Sequence, residues 1–151
     1  MKILHINEYD MAYLDIGEGL PIICIHGSLN DFRAWNAVLG PLSASNRLIV
    51  PSMRHYFPEQ WNGQGGHFRM DQHIEDTISF IEELDIGPVN LIGHSRGGHI
   101  SFRVGIKRPD LIRKLVLAEP GGTLEEGLMP ADAAKLSEGA GSRAHVAQSS
   151  E

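Results

Sequence analysis

Four short apolar runs constrain the fold of this chain more than any other feature of its sequence. They occupy residues 21–25, 47–50, 89–92 and 112–118. Continuous apolar runs of this length are typical of strands that are buried on both faces of a parallel sheet. Apolar residues at helical spacing separate the runs. Strands that alternate with helices predict an α/β protein, here a doubly wound three-layer α/β/α sandwich with a mostly parallel sheet.

The beginning of the chain adds a different strand pattern. Residues 3–7 and 10–16 predict two short strands that form a hairpin around Asn7-Glu8, which brings the predicted sheet to six strands. Gly40-Pro41 is expected to kink or end the first helix. In the helix over 69–84, the apolar stripe leaves Asp76 away from the buried side.

The segment GHSRGG at 93–98 follows the third apolar run and opens a predicted helix. It matches G-x-S-x-G in the strand–turn–helix setting where that pattern carries a nucleophilic serine. Because such a serine sits on a strained turn, the neighbouring Gly93 and Gly97 give it room, and Gly98 lets the helix pack close to the strand. Ser95 is therefore the predicted nucleophile. The alternative is a turn that contains the pattern by chance.

A second motif, His26-Gly27-Ser28, ends the first apolar run. Acyl transfer creates an oxyanion that backbone N–H groups stabilise. One donor of such a hole is the residue after the nucleophile, here Arg96, and the other comes from the loop after an earlier strand, for which Ser28 is the candidate. Taken alone, the motif is better explained as an ordinary strand-to-helix turn.

Together these segments resemble the α/β-hydrolase superfamily, in the branch of small esterases, lactonases and cofactor-free perhydrolases. The resemblance covers about residues 10–120 and rests on YLDIGEG, HGS at 26–28, Trp35, VNLIGHSRGGHISF and KLVLAEP. It implies an α/β-hydrolase fold, cut here after the sixth strand, and an esterase-like activity on a small-molecule ester or acyl substrate. Where the family carries an Asp-x-Arg-Gly-like turn, residues 51–56 read PSMRHY, which matches only the arginine, Arg54.

A serine triad also needs a base and an acid. The resemblance implies that the family's histidine follows a lid and further strands, and that this sequence ends before it. His145 alone follows Ser95 in the family's order, but it lies in an Ala/Gly/Ser-rich tail. The other histidines are interpreted as loop, packing or surface residues. Glu119, just past the fourth apolar run, is the candidate acid, with an exposed strand-end carboxylate as the alternative.

Composition restricts the possible partners. The 151 residues suit one domain, divided into a core at 1–120 and a poorly ordered tail at 121–151. A net charge of −6 argues against binding nucleic acid or an anionic membrane. No stretch is apolar enough to cross a bilayer. The single cysteine, Cys24, excludes an internal disulfide, fits a cytoplasmic location and is expected in the core. No metal or nucleotide motif is present, so no cofactor is expected.

Three functions remain open. The leading hypothesis is a serine hydrolase of carboxylic esters, lactones or similar acyl compounds. A dehalogenase or epoxide hydrolase of the same family would need a carboxylate in place of Ser95. The alternative from another class is a catalytically incomplete fragment or non-catalytic remnant of such a hydrolase. The sequence leaves the substrate and the oligomeric state undetermined.

Overall fold

The computed structural model describes residues 1–59 and 69–121, which form six strands and three helices. In chain order the strands are β1 (Lys2–Ile6), β2 (Tyr9–Ile16), β3 (Leu20–Ile25), β4 (Asn46–Pro51), β5 (Val89–His94) and β6 (Ile112–Ala118). The helices are α1 (Asn36–Ser43), α2 (Met70–Glu83) and α3 (Arg96–Lys107), with 3₁₀ turns at Phe32–Trp35 and Pro109–Leu111. None of the helices in this part of the chain has the length and hydropathy of a bilayer-spanning segment.

The six strands form one sheet in the order β1-β2-β4-β3-β5-β6. As the four apolar runs predict, β4, β3, β5 and β6 are parallel neighbours, whereas β2 and β1 extend the sheet in antiparallel pairs. Asn7 and Glu8 join β1 to β2 with φ of 43° and 57°, the left-handed values that suit a two-residue turn between twisted strands. The predicted hairpin and the mostly parallel sheet are confirmed.

Alternate residues along the sheet face different helical layers. Ile23 and Ile25 of β3 belong to a core shared with α2 and α3, whereas Ile22 and Cys24 belong to a second core against α1. Because successive side chains of a strand point to opposite faces, both faces of β3 are buried, which explains its continuous apolar run. This is the α/β/α layering expected from the sequence. The expected tail begins at the end of the described residues, so the division into core and tail stays a prediction.

The helix α1 runs through Gly40 and Pro41 to its end at Ser43. An end at the proline, one of the two expected outcomes, does not occur. The proline removes one N–H, which would otherwise bond to the carbonyl of Ala37. The usual clash between a proline ring and the Cβ of the preceding residue is absent because Gly40 has no side chain. The helix therefore continues past the proline and ends at Ser43, shortly before β4 begins at Asn46.

Asp76 departs from the expectation for α2, because its side chain is only 1% exposed. Arg54 Nε and Nη2 donate to its carboxylate oxygens at 2.8 and 3.0 Å. The side-chain amides of Gln72 and Asn7 donate to Oδ1 at 2.9 and 3.0 Å. The single apolar stripe fails to predict this burial because α2 contacts β1 as well as α3. A second side of the helix is therefore buried. The charged carboxylate on that side accepts four hydrogen bonds.

The same cluster joins distant parts of the chain. Arg54 Nη2 also donates to the carbonyl oxygen of Asn7 at 3.1 Å, and its guanidinium carbon lies 4.4 Å from the centre of the Tyr9 ring. The loop after β4 is thereby fixed to the β1–β2 hairpin and to α2. The same loop also reaches the carboxyl end of β3, where the N–H of Met53 bonds to the ring of His26.

Asp76→Ala should lower the free energy of unfolding by about 3–5 kcal/mol, because it leaves the largely buried Arg54 charge without its partner. Glu75→Ala is the matched control on the same helix. Its ion pair with Lys107 is exposed on both sides, so its loss should cost less than about 1 kcal/mol. Urea unfolding followed by circular dichroism measures both values. Equal effects of the two substitutions would contradict a structural role for the Arg54–Asp76 pair.

Candidate active site

Ser95 lies in the turn between β5, which ends at His94, and α3, which begins at Arg96. Its φ is 53°, in the left-handed region that a serine rarely adopts. The expected strained backbone at the carboxyl end of a parallel strand is therefore present. A turn of this shape at the start of a helix holds the serine side chain at the edge of the sheet.

Two glycines allow this turn to approach neighbouring backbone. A Cβ on Gly97 would stand 2.3 Å from the carbonyl oxygen of Ile25 and 2.4 Å from that of His26. A Cβ on Gly93 would stand 2.3 Å from the carbonyl oxygen of Gly97. Contacts this short do not occur between real atoms. A side chain at Gly97 would therefore force the turn away from the end of β3, and one at Gly93 would force the start of α3 away from β5.

The end of β6 and the segment that follows it form hydrogen bonds with the backbone of Ser95. The N–H of Ser95 donates to the carbonyl of Ala118 at 3.0 Å, and the N–H of Gly121 donates to the carbonyl of Ser95 at 2.9 Å. A Cβ on Gly98 would lie 2.9 Å from the Cα of Pro120, so the first turn of α3 touches the same segment. Hydrogen bonds to both peptide groups of Ser95 thus maintain its strained conformation, which the sequence pattern did not reveal.

Gly27 brings the loop after β3 to Ser95. A Cβ on Gly27 would lie 3.1 Å from the Cβ of Ser95 and 3.2 Å from Nδ1 of His94. Ser28 follows in an exposed turn, and Arg96 follows Ser95 along the chain. Both candidate oxyanion donors therefore adjoin the serine, one through Gly27 and one through the peptide bond. The convergence of their N–H groups on one point stays a prediction.

His26 is fully buried, and both of its ring nitrogens are engaged. Nε2 accepts from the N–H of Met53 at 3.0 Å, so Nδ1 carries the proton and donates to the carbonyl of Gly27 at 2.8 Å. Burial lowers the pKa of His26 to about 4, which keeps the ring neutral. This geometry supports the interpretation of His26 as a residue that fixes the loop after β3 to the loop after β4.

Tyr56 is a site residue that the sequence analysis did not single out. Its ring packs edge-on against His26, with ring centres 4.8 Å apart. Burial raises the pKa of Tyr56, whereas the nearby charge of Arg96 opposes this shift. Through its contact with His26, Tyr56 joins the loop after β4 to the loop after β3. The aromatic residue at the end of PSMRHY is the sequence signal for it.

Glu119 and His94 meet at the ends of β6 and β5. Glu119 Oε2 lies 3.9 Å from His94 Nε2, and the Glu119 side chain is 92% exposed. His94 also lines a cavity of about 240 Å³, whose walls are His26, Ala34, Trp35, Val38, His94 and Ala118. The exposure of Glu119 agrees with the alternative of a strand-end carboxylate. Its role as a triad acid stays a prediction.

Two of the other described histidines, His5 and His55, lie beside acidic side chains away from Ser95. His5 Nδ1 lies 2.7 Å from a carboxylate oxygen of Asp10 on the hairpin, and His55 lies beside an acidic side chain of its own loop. Burial lowers the pKa of His73 to about 4. His145, the candidate in the family's order, falls outside the described residues. Residues 1–59 and 69–121 therefore do not identify a general base.

Metal ligands and the single cysteine are the other groups that could carry chemistry in the described residues. In the two described stretches, no three His, Cys, Asp or Glu side chains group closely enough to hold a metal ion. Cys24 is buried within β3, and burial raises the pKa of its thiol to about 12. A thiol with this pKa is poorly nucleophilic at neutral pH, which supports its interpretation as a core residue.

A model of the family described as the alpha/beta hydrolase fold matches residues 21–146. The chain belongs to the α/β-hydrolase fold family. Its relatives include 2-hydroxymuconate semialdehyde hydrolase from a Pseudomonas species, 29% identical over 120 residues, and (E)-2-((N-methylformamido)methylene)succinate hydrolase from Acinetobacter baylyi, 31% identical over 115 residues. These matches cover 76% and 74% of this chain but 42% and 41% of the relatives. The chain thus spans less than half the length of these α/β hydrolases.

Solved α/β hydrolases share the architecture of the described residues. An epoxide hydrolase from Vigna radiata matches with a TM-score of 0.77 at 22% identity, covering 91% of this chain and 46% of that one. The thioesterase domain from the curacin biosynthetic pathway matches with a TM-score of 0.76 at 25% identity, covering 91% and 50%. The expected fold is therefore confirmed.

Gly97→Ala should lower the free energy of unfolding by about 2–3 kcal/mol, because its Cβ collides with two backbone carbonyls that cannot rotate away. Gly105→Ala is the matched control within α3. Its Cβ would lie 3.4 Å from a flexible methyl group of Leu115, and alanine favours a helix over glycine by up to about 1 kcal/mol. Urea unfolding should therefore show a loss of stability for Gly97→Ala and a gain for Gly105→Ala. Tolerance of Gly97→Ala would show that the turn does not need this close contact.

Stability should fall as the pH drops from 6.5 towards 4. Burial lowers the pKa of His26 and of His73 from 6.5 to about 4, so in this window the unfolded chain binds protons that the folded chain does not. Each histidine should contribute roughly 1.4 kcal/mol per pH unit. Urea unfolding at pH 7 and pH 5 measures the loss, and His73→Gln should reduce it by about half. A loss that is unchanged in His73→Gln would rule out this cause.

Proposed function

We propose that this chain carries the nucleophile of a serine hydrolase that acts on carboxylic esters, lactones or similar acyl compounds. The observation that carries the proposal is the backbone of Ser95, which is held at positive φ between β5 and α3 by hydrogen bonds to Ala118 and Gly121. This is the geometry that exposes a serine hydroxyl for attack. The named relatives are hydrolases of small carbonyl-bearing compounds, which supports the same general chemistry.

In the proposed reaction, Ser95 Oγ attacks the carbonyl carbon while a base removes its proton, and the alcohol leaves with that proton. Water then attacks the acyl-enzyme, releases the acid and regenerates the serine hydroxyl. The charge that develops on the carbonyl oxygen is stabilised by the N–H groups of Ser28 and Arg96. The proximity of Gly27 to the Ser95 Cβ supports this placement of the donors.

The proposed base lies outside the described residues. His26 is neutral and bonded through both nitrogens, and His94 faces Glu119 through Nε2. We assign the role of the acid to Glu119, which follows the strand next to β5. Its exposed carboxylate has the freedom to orient a histidine supplied from further along an intact hydrolase domain.

Two alternatives differ from this proposal in the identity of the nucleophile or in the presence of activity. An epoxide hydrolase shares the fold, but an epoxide hydrolase or dehalogenase of this kind uses a carboxylate at the turn, where this chain has Ser95. The other alternative is a catalytically incomplete fragment or a non-catalytic remnant. The coverage of less than half of each relative favours it, and only an activity measurement separates it from the leading proposal.

Residues 1–151 alone should show little or no turnover of p-nitrophenyl esters. Without a base, the Ser95 hydroxyl is a weak nucleophile at neutral pH, and the oxyanion hole and binding leave at most about 10³–10⁴-fold over water. Initial rates of the purified chain and of Ser95→Ala measure this residual activity. Fast turnover that Ser95→Ala abolishes would show that the chain contains its own base, and His145→Ala would then be the next variant.

Imidazole in solution offers a direct test of Ser95 as the nucleophile, because imidazole can act as an external general base. With imidazole and p-nitrophenyl acetate, Ser95 should become acetylated, and acid quenching at early times preserves the acetyl group for detection. Mass spectrometry of peptides locates the modification. Ser95→Ala in the same buffer controls for acetylation of other side chains and for hydrolysis by imidazole itself. Equal labelling of both proteins would end the serine-hydrolase proposal and leave the non-catalytic remnant.

A further inference from the structure

The peptide group between Gly27 and Ser28 has its carbonyl on Gly27 and its N–H on Ser28, the proposed oxyanion donor. The carbonyl accepts a hydrogen bond from Nδ1 of the buried His26 ring at 2.8 Å. In a planar trans peptide group, the C=O and the N–H point in opposite directions. The bond to His26 therefore also fixes the direction of the Ser28 N–H, which points away from that ring.

This peptide group needs an external restraint because a glycine stands beside it. A Cβ on Gly27 would lie 3.1 Å from the Cβ of Ser95, and a residue without a Cβ allows wide rotation about φ and ψ. Rotation of the peptide group could place the carbonyl oxygen where the Ser28 N–H should be. An oxygen at that position would repel a developing oxyanion instead of stabilising it. The close approach to Ser95 thus makes a bond to the Gly27 carbonyl necessary.

The loop after β4 determines which nitrogen of His26 carries the proton for this bond. The N–H of Met53 lies 3.0 Å from Nε2 of His26. Because a backbone N–H can only donate, Nε2 accepts, and the proton of the neutral ring lies on Nδ1, the nitrogen that faces the Gly27 carbonyl. The contact with Met53 thus selects the tautomer that can hold the peptide group.

Met53 is itself held by its neighbours on both sides. The N–H of Ser52 donates to the carbonyl of Ala12 in β2 at 2.8 Å. On the other side, Arg54 is paired with the buried carboxylate of Asp76 in α2. The N–H that selects the tautomer of His26 is therefore fixed to the sheet and to a helix.

We propose that His26 is a positioning residue of the oxyanion hole, an inference that rests on the proposed serine-hydrolase function. With its tautomer selected by Met53, His26 holds the Gly27–Ser28 peptide group so that the Ser28 N–H is presented to the substrate carbonyl. His26 exchanges no proton in the reaction. Its contribution arises when charge develops on the carbonyl oxygen, so it should affect the maximal rate of acylation and not the binding of the ester.

Two substitutions separate the two bonds of His26. The amide nitrogen introduced by His26→Asn can take the place of Nδ1 and donate to the Gly27 carbonyl, but the bond from Met53 is lost. The longer side chain introduced by His26→Gln can place its amide oxygen at Nε2 and accept from Met53, but the Gly27 carbonyl is left without its donor. Each variant loses one buried hydrogen bond, so the urea midpoint should fall by a similar amount in both.

The acetylation of Ser95 by p-nitrophenyl acetate and imidazole should distinguish these variants. Its maximal rate should fall about tenfold or more in His26→Gln, because loss of one oxyanion donor costs about 10²–10³-fold. The half-saturating ester concentration should not change, and His26→Asn should retain most of the rate. Cys24→Ala is the matched control, because Cys24 is buried in the same strand and belongs to the core against α1. It should lower the urea midpoint but leave the acetylation rate unchanged.

NMR of the same proteins tests the inference without any reaction at Ser95. In the wild type, the imidazole nitrogens of His26 should show the proton on Nδ1. Residual dipolar couplings should give the same Ser28 N–H orientation in the wild type and in His26→Asn, and a different one in His26→Gln. A wild-type proton on Nε2 would overturn the inference even if neither variant folds, and so would an unchanged Ser28 N–H in His26→Gln.

The acetylation rates add a further way for the inference to fail. Equal, measurable rates in His26→Asn and His26→Gln would overturn it. A wild type that is not acetylated at Ser95 but gives the expected NMR results would instead overturn the serine-hydrolase proposal. It would support His26 as the residue that orients this peptide group. The two failures are therefore distinguishable.

Discussion

The candidate site depends on one constraint, the direct approach of the turn at Ser95 to the backbone at the end of β3. Gly97 leaves no space for a Cβ against the carbonyl oxygens of Ile25 and His26. This contact fixes how far α3 lies from the sheet and how close Gly27 comes to the serine. A parallel sheet makes it possible, because β3 and β5 are neighbours and their carboxyl ends lie at the same edge. Backbone contacts thus determine where the side chains of the site lie.

A second set of contacts extends this constraint to the outer part of the fold. The buried Arg54–Asp76 pair anchors the loop after β4 to α2 and to the hairpin. From that loop, Met53 donates to His26 and Tyr56 packs on the same ring. The turn that carries Ser28 is therefore supported by a chain of contacts that ends at the buried carboxylate of Asp76. A charge buried in this way is costly unless it is fully hydrogen-bonded, and the amides of Asn7 and Gln72 complete its partners.

The sequence predicted the features that depend on short-range pattern. The apolar runs gave the parallel strands, and GHSRGG placed Ser95 at a strained turn. The errors arose where a residue belongs to two environments at once. The single stripe along α2 could not predict the burial of Asp76, because that burial depends on a partner 22 residues away. Likewise, Gly40 made Pro41 tolerable inside α1. The roles of Tyr56 and of the Ala118 and Gly121 hydrogen bonds require the spatial order of the strands, which no local pattern contains.

The backbone conformation of Ser95, the proposed nucleophile, does not depend on the base that would activate it. The strain at Ser95 costs about 1–3 kcal/mol, and hydrogen bonds contribute about 0.5–1.5 kcal/mol each. The two bonds from Ala118 and Gly121 are therefore of the size needed to hold the residue at positive φ. Both come from β6 and the segment after it, and β6 is an edge strand of the described sheet. The conformation of Ser95 thus depends on hydrogen bonds with the neighbouring strand and with the segment that follows that strand.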